Sequence, residues 1–251
     1  MIGLIVAFAL TALLYAAAGF GGGSTYNALL VLGGVDFRAV PVIALICNIL
    51  VVTVGSCTFA RAGHVHWSRI WPLFAASVPM AWLGGRLEVP EIVFVGVLAV
   101  ALLASGLLML WRPAPVDAGQ PRLASWSEAL IGGALGFVAG VTGIGGGIYL
   151  APVLHLLRWG GAKAIAGTCA VFILVNSIAG LLGQFSKTDG FDRVDALLMH
   201  WPLFPAVIFG GGLGALLGSR FLPARLVSVL TALLILYVAV RLGLRFMELQ
   251  G

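Results

Sequence analysis

The sequence predicts an all-α polytopic membrane protein made of two homologous halves. Three observations indicate this fold class. Hydrophobic residues are 61% of the 251 residues and charged residues only 9%, whereas soluble domains carry about a quarter charged residues. The apolar segments are long enough to cross a bilayer. A glycine cluster occurs twice, as Gly21 to Gly23 in GFGGGS and as Gly145 to Gly147 in GIGGGI.

The first segment predicts a broken helix. Residues 1–35 carry no charged side chain, and as one helix they would be about 52 Å long against a hydrocarbon core of about 30 Å. We expect the break between Gly19 and Gly23, followed by a short helix over residues 24–32. Residues 129–157 repeat this pattern, with the break between Gly143 and Gly147. The N-terminal MIGLIVAFAL lacks a basic region, which argues against a cleaved signal peptide.

Longer apolar segments follow each broken segment, and each is long enough to cross a bilayer as a helix. They cover residues 39–60, 70–85 and 92–111 in the first half, and 164–185, 196–219 and 226–240 in the second. We therefore expect a first repeat over residues 1–112, a connector over 113–127 and a second repeat over 128–251.

The two halves also share single residues. The pairs are Asn48 with Asn176, His66-Trp67 with His200-Trp201, and Gly84-x-Arg86 with Gly218-x-Arg220. If five segments cross in each half, the odd number makes the halves inverted repeats, an arrangement found in many secondary transporters. If the short segments are re-entrant, the count of crossings falls from ten to about eight. Basic residues in nearly every connection leave the orientation open.

The duplicated G-x-G-G-G break, the asparagine-bearing helix after it and the coverage of residues 2–245 by two such halves resemble the TauE/SafE family of sulfite and organosulfonate exporters. The resemblance implies a multi-pass protein of the bacterial inner membrane that moves a small sulfur-containing anion. It implies a substrate class, not a compound. No cofactor is implied, and the oligomeric state, a homo-oligomer included, stays open.

The glycine clusters also predict an anion site on physical grounds. A helix that starts after a glycine break presents unpaired N–H groups and about half a positive charge. Two such starts near the midplane could replace part of the hydration shell of an anion. Close helix packing is the alternative role for the glycines. The residues expected to bind substrate are Gly21, Gly22, Gly23, Ser24, Thr25, Asn27, Asn48, Thr142, Gly145, Gly146, Gly147, Tyr149, Asn176 and Gln184.

An asparagine or glutamine amide inside an apolar helix costs free energy unless it is hydrogen-bonded. We therefore expect Asn48, Asn176 and Gln184 to bind either the substrate or a neighbouring helix. Arg86 and Arg220 end apolar segments, where they either attract and gate anions or extend to the interface.

His155 lies in an apolar segment and is a candidate proton carrier. The nine acidic residues fall in connections or at segment ends, which disfavours a carboxylate proton relay.

Other functions are less consistent with the sequence. The dinucleotide-binding fingerprint needs a strand before its glycines, no G-x-x-x-x-G-K-[ST] motif occurs, and no enzyme motif stands out, so we expect no enzyme. The basic residues are scattered rather than clustered in a stripe, so nucleic acid is not an expected partner. Three cysteines without C-x-x-C spacing predict no metal site. An anion channel, or a permease for another small anion or a metal ion, remains the alternative.

Overall fold

The computed structural model describes residues 1–17, 20–110, 125–157, 159–160, 162–187, 194–220 and 224–249. All regular secondary structure in these ranges is helical. The first half contains α1 (Ile2–Ala17), α2 (Gly23–Leu32), α3 (Val40–Arg61), α4 (Trp67–Arg86) and α5 (Glu91–Leu110). The second contains α6 (Ser125–Thr142), α7 (Gly147–Leu156), α8 (Ala162–Phe185), α9 (Val194–Met199), α10 (Leu203–Arg220) and α11 (Ala224–Glu248).

The predicted segments agree with α3, α4, α5 and α8 to within three residues at each described end. Both glycine breaks are also observed, since α1 ends before the first cluster and α7 begins at Gly147. Gly19, where the first break was expected to start, lies outside the described residues. Most of the expected connector, residues 113–127, also lies outside them, and α6 begins at Ser125, inside its expected end.

Two predicted boundaries are wrong. The single segment expected over residues 196–219 is divided into α9 and α10, because Pro202 cannot donate a backbone hydrogen bond and disfavours helix at the residue before it. The His200 ring contacts the last turn of α9, where its Nδ1 atom lies 2.8 Å from the carbonyl oxygen of Ala196. The last helix, α11, continues to Glu248, eight residues beyond the predicted end at residue 240.

Three of the described helices are long and apolar enough to cross a membrane: Val40–Arg61, Glu91–Leu108 and Lys163–Phe185. Shorter apolar helices occupy Ile2–Ala17 and Leu203–Leu217. Helix α4 carries Arg69, Pro72 and Pro79 within its length. The structure is that of a membrane protein, and the predicted number of crossings stays a prediction.

Helices α1 and α2 form a hairpin. The rings of Phe8 and Tyr26 stack with centroids 4.7 Å apart, and the hydroxyl of Tyr15 lies 3.0 Å from that of Ser24. These contacts join the middle of α1 to α2 and the end of α1 to the start of α2, so the two helices run in opposite directions. With ten residues, α2 is about 15 Å long. It therefore extends back across only about half the hydrocarbon thickness of a membrane.

The second hairpin, α6–α7, points the other way along the bundle. We call the end of the bundle where α3 begins and α4 and α8 end the Lys187 end, and the opposite end the Trp67 end. Gly132, Gly136 and Gly140 of α6 face Leu73, Ser77 and Ala81 of α4 in the same order. Helix α6 is therefore parallel to α4 and starts at the Trp67 end.

Helix α1 starts at the Lys187 end. Gly210 and Gly214 of α10 face Ala9 and Leu13 of α1, so these two helices are also parallel. Gly96 at the start of α5 faces Phe246 near the end of α11, which makes α5 and α11 antiparallel. Since α5 starts at the Lys187 end, α11 starts at the Trp67 end and α10 ends there. The two hairpins thus enter the bundle from opposite ends.

Glycines bring the backbones of the paired helices into direct contact. A Cβ atom added to Gly136 or Gly140 would overlap the carbonyl oxygen of Ser77 or Ala81, and one added to Gly210 or Gly214 would overlap that of Ala9 or Leu13. Small residues at such crossings allow the close backbone approach that stabilises helix pairs in membranes. Each hairpin is therefore held by a helix of the other half: α6 by α4, and α1 by α10.

The packing pattern favours the predicted inverted repeat. The helices of the two halves correspond in chain order: α1 to α6, α2 to α7, α3 to α8, α4 to α10 and α5 to α11. Under this correspondence, the contacting pair α4–α6 is equivalent to the contacting pair α10–α1, and α2–α3 is equivalent to α7–α8. The α3–α8 and α5–α11 contacts each join a helix to its own counterpart in the other half. The short α9 has no counterpart among the described helices of the first half.

Gly136→Ala should destabilise the protein by about 1–3 kcal/mol, because the methyl group would overlap the α4 backbone. The matched control is Gly133→Ala on the same helix, where the nearest neighbour of an added Cβ is 3.6 Å away. The control should be neutral or stabilising by up to about 1 kcal/mol, the difference in helix propensity. Thermal unfolding in detergent measures both, and equal melting temperatures would contradict the packing described.

Candidate functional site: two glycine breaks at the centre of the bundle

The same backbone turn starts α2 and α7. Gly22 has φ +89° and Gly146 φ +82°, a left-handed conformation that costs other L-residues about 1–2 kcal/mol. The carbonyl oxygen of Gly22 accepts hydrogen bonds from the amides of Thr25 and Tyr26, at 3.0 Å each, and that of Gly146 accepts them from the amides at 149 and 150, at 3.1 Å each. Glycine at each break therefore lets a helix start abruptly inside the bundle.

Two asparagines of the first half hold the second break. Asn48 on α3 donates from Nδ2 to the carbonyl oxygen of Ile144 at 2.8 Å. Asn27 on α2 donates from Nδ2 to that of Thr142 at 2.7 Å. Both asparagines are fully buried. A broken helix leaves backbone carbonyls without intrahelical partners, so these amides satisfy groups that would otherwise be unpaired in an apolar interior.

Asn48 lies between the two breaks. A Cβ atom on Gly23 would be 2.9 Å from both Asn48 Cγ and the carbonyl oxygen of Ile144, and one on Gly145 would be 3.2 Å from Asn48 Nδ2. A Cβ atom on Gly21 would overlap Asn48 Oδ1. Three of the predicted glycines therefore surround one predicted asparagine, and their missing side chains make the space that its amide fills.

The starts of α2 and α7 are the electropositive groups of this region. Neither Gly22 nor Gly146 has a side chain that could cap its helix, so the first amides of each helix keep their capacity to bind an anion. A cavity of only about 10 Å³ lies between the breaks, about the space of one water molecule. Its lining residues are Tyr15, Phe20, Gly21, Gly22, Gly23, Ser24, Ile144, Ile148 and Ile173. The conformation described is therefore closed around the breaks.

Three of the four predicted hydroxyl donors, those of Ser24, Thr25 and Thr142, are already engaged. Tyr15 OH lies 3.0 Å from Ser24 Oγ and 2.8 Å from Thr25 Oγ1, and Thr142 Oγ1 donates to the carbonyl oxygen of Val138 at 2.7 Å. Tyr149 is buried at the start of α7. Tyr15 is not among the predicted site residues, although a tyrosine in a largely apolar helix, six residues before the first glycine cluster, is a sequence signal for a polar site.

Asn48 and Asn176, which correspond in the sequence of the two halves, do not make equivalent contacts. Asn176 donates to the carbonyl oxygen of Phe172 in its own helix, at 2.9 Å. The α8 residues that face Gly145 are Ile173 and Ser177, whose nearest side-chain atoms would lie 2.8 and 2.6 Å from an added Cβ. On α3 the residues that face Gly21 are Asn48 and Val52. The second half therefore presents isoleucine where the first presents asparagine.

The remaining predicted residues lie away from the breaks. Gln184 is buried at the Lys187 end, where it lines a separate cleft. Arg86 is exposed at the same end, with its guanidinium 5.3 Å from the Trp82 ring centroid. The backbones of His155 and Arg220 lie in α7 and at the end of α10. Their side chains are outside the described part of the chain.

One acidic residue is more enclosed than its sequence position suggests. Glu128 lies in the first turn of α6, at a helix end as predicted, yet it is buried. Among the described residues, no group of three or more histidine, cysteine, aspartate or glutamate side chains is placed to hold a metal ion.

Asn48→Ala should destabilise the protein by about 1–3 kcal/mol, because the buried carbonyl of Ile144 would lose its donor. Asn176→Ala is the matched control, since it removes the same amide from a bond within one helix and should cost less. Thermal unfolding of the two variants in detergent tests the difference. A larger loss for Asn176→Ala would argue against Asn48 as the link between the breaks.

Two curated proteins similar to this chain are described as probable membrane transporters. The family model described as "Sulfite exporter TauE/SafE" matches residues 4–242. The probable membrane transporter protein y4hK of Sinorhizobium fredii is 37% identical over 245 residues, 96% of this chain and 97% of that protein. The probable membrane transporter protein YunE of Bacillus subtilis is 28% identical over 127 residues, 48% of this chain and 43% of that protein. No solved structure gives a significant match.

The family model and the y4hK relative each extend over nearly the whole chain, including both hairpins and both glycine breaks. The chain therefore belongs to the TauE/SafE family of membrane transporters.

Proposed function

We propose that the protein is a secondary transporter of the bacterial inner membrane that exports a small sulfur-containing anion by alternating access. Sulfite, sulfoacetate and related organosulfonates form the proposed substrate class. The family description supports the sulfur anion. The observation that carries the proposal is the meeting of two glycine-started helices around Asn48.

The electrostatics suit a small anion. Each helix N-terminus carries about half a positive charge, so the starts of α2 and α7 together offer about one unit. They do so without a buried lysine or arginine, whose desolvation in the empty site would be costly. A monovalent anion at the breaks would be balanced by dipoles that the fold already holds in place.

The asparagines add polar groups for the rest of the ligand. The Oδ1 atoms of Asn27 and Asn48 are buried, and neither has a hydrogen-bond partner in the described part of the chain. An unpaired acceptor of this kind suits a donor on the ligand or a water molecule carried with it. Hydrogen sulfite, which carries one proton, presents both the charge that the helix starts favour and the donor that Oδ1 accepts.

Substrate binding requires the hairpins to separate, because a cavity of about 10 Å³ does not hold a sulfur oxyanion. The hydrogen bonds from Asn27 and Asn48 join the second break to helices of the first half. Each contributes about 1 kcal/mol net, so the contact is strong enough to seal the centre and weak enough to open. A closed centre of this kind favours a carrier over a permanently open anion channel.

The membrane potential supplies a direction. Moving an anion out of a negatively charged cytoplasm releases about 2.3 kcal/mol of free energy per charge for each 100 mV of membrane potential. Export therefore proceeds without a nucleotide. The alternative is a permease for another anion or for a metal ion. Such a permease would transport none of the sulfur anions in the substrate assay described below.

The first prediction from this proposal concerns the wild-type protein in liposomes loaded in turn with sulfite, thiosulfate, sulfoacetate and sulfate. We expect saturable efflux of at least one sulfur anion, with counterflow when the same anion is present outside. Flux that rises without saturation would identify a channel. Absence of flux for all four, from folded protein, would overturn the sulfur-anion assignment.

The second prediction concerns the glycines. Gly22→Ala and Gly146→Ala should each reduce efflux by about tenfold or more, because the added methyl strains the turn and crowds Tyr26 or Phe172. Gly34→Ala is the matched control. Gly34 has the same left-handed conformation, φ +75°, in an exposed loop where an added Cβ meets nothing within 4 Å.

The control should lose a similar amount of stability, about 1–2 kcal/mol, yet retain transport. The amount of folded protein in the membrane is measured for all three variants by size-exclusion chromatography. If Gly22→Ala and Gly146→Ala lose folded protein and transport in equal proportion, the glycines serve packing alone.

A further inference from the structure

A large cleft at the Lys187 end lies outside the site described above. Its volume is about 590 Å³, within the range of small-molecule sites. The cleft is formed where the α2–α3 and α4–α5 connections meet the ends of α6 and α8. Its lining residues are Phe37, Arg38, Pro41, Glu88, Val89, Pro90, Phe94, Val141, Gln184 and Lys187.

The charged residues of the cleft favour an anion. Arg38 and Lys187 contribute two positive charges and Glu88 one negative charge, so the lining has a net charge of about +1 at neutral pH. Lys187 Nζ donates to Oε1 of Gln184 at 3.0 Å, and Gln184 is 2% exposed. This contact holds the ammonium group against the wall of the cleft.

Arg38 is oriented by its own loop. Its backbone amide donates to Oδ1 of Asp36 at 3.0 Å, which forms a tight turn before α3. Its guanidinium lies 5.7 Å from the ring centroid of Phe37, within the range of cation–π contacts. The loop therefore presents a guanidinium, which binds oxyanions through paired N–H donors.

The floor of the cleft adjoins the second glycine break. Val141 lines the cleft, and the next residue, Thr142, has the carbonyl that Asn27 binds. Pro41 also lines the cleft, and a Cβ atom on Gly143 would lie 2.7 Å from Pro41 Cα. The second glycine break is therefore adjacent to the cleft.

We propose that this cleft is the entrance site for the transported oxyanion at the Lys187 end, with Arg38 and Lys187 as the recognition residues. The proposal rests on the proposed function and assigns residues that act before the substrate reaches the glycine breaks. A charged cleft of this kind raises the local anion concentration and the rate of association, and its effect falls with ionic strength.

The test measures transport by Arg38→Gln and Lys187→Gln proteins in liposomes of neutral lipid. Each change should raise KM by about three- to tenfold and leave the maximal rate within about twofold, since it weakens capture and not passage. The dependence of KM on ionic strength should also weaken. Arg245→Gln is the matched control, because Arg245 is a partly exposed cation beside Glu91 at the same end and does not line the cleft.

A second measurement is independent of transport. An Arg38→Cys protein is labelled with a membrane-impermeant thiol reagent, with the wild-type protein giving the background from its own cysteines. Sulfoacetate, which does not consume the reagent, should slow labelling of Arg38→Cys in neutral lipid. It should not slow labelling of an Arg245→Cys control.

The outcomes separate the two proposals. If Arg38→Gln and Lys187→Gln raise KM no more than Arg245→Gln, the cleft is not the entrance. If labelling is slowed only by anionic lipid and not by sulfoacetate, lipid headgroups occupy the cleft and the entrance proposal is wrong. If the wild-type protein moves no sulfur anion, the proposed function fails, and protection by sulfoacetate alone then decides whether the cleft binds oxyanions.

Discussion

The centre of this bundle is organised by the need to satisfy backbone groups at two helix breaks buried in an apolar interior. Breaking α1–α2 and α6–α7 leaves amides at the new helix starts and carbonyls at the preceding turns. Asn27 and Asn48 satisfy two carbonyls of the second break. The first amides of α2 and α7 have no side-chain cap, since the residue before each helix is Gly22 or Gly146. The same constraint thus links the packing of the hairpins to the site that we propose for the anion.

Glycine has two separate roles in the structure. At Gly22 and Gly146 it provides a left-handed turn, whereas at Gly136 and Gly214 it allows one helix backbone to lie against another. Turn formation and close helix packing are therefore roles of glycine at different positions of this chain. The clusters make the breaks, and the glycines spaced four apart hold the broken helices in place.

Much of the architecture is predictable from local sequence, because the length of each apolar segment and its glycines determine where helices begin and end. The contacts are not predictable in this way. The bond from Asn48 to Ile144 joins residues 96 positions apart, and no pattern along the chain indicates which carbonyl an amide will find. Gln184 is eight residues beyond Asn176, about 12 Å along α8, so its place in the cleft follows from helix geometry once the helix is known.

The crossed pairing of the hairpins has a consequence for how the protein is made. Helix α10, which holds the first hairpin, begins about 200 residues after α1. At about 5–20 residues per second, α1 and α2 remain without that partner for about 10–40 s during synthesis. The second hairpin has no such delay, since α4 precedes α6. Biogenesis is therefore asymmetric, and the first hairpin is the part of the nascent chain that most needs lipid or an insertion factor to cover its exposed face.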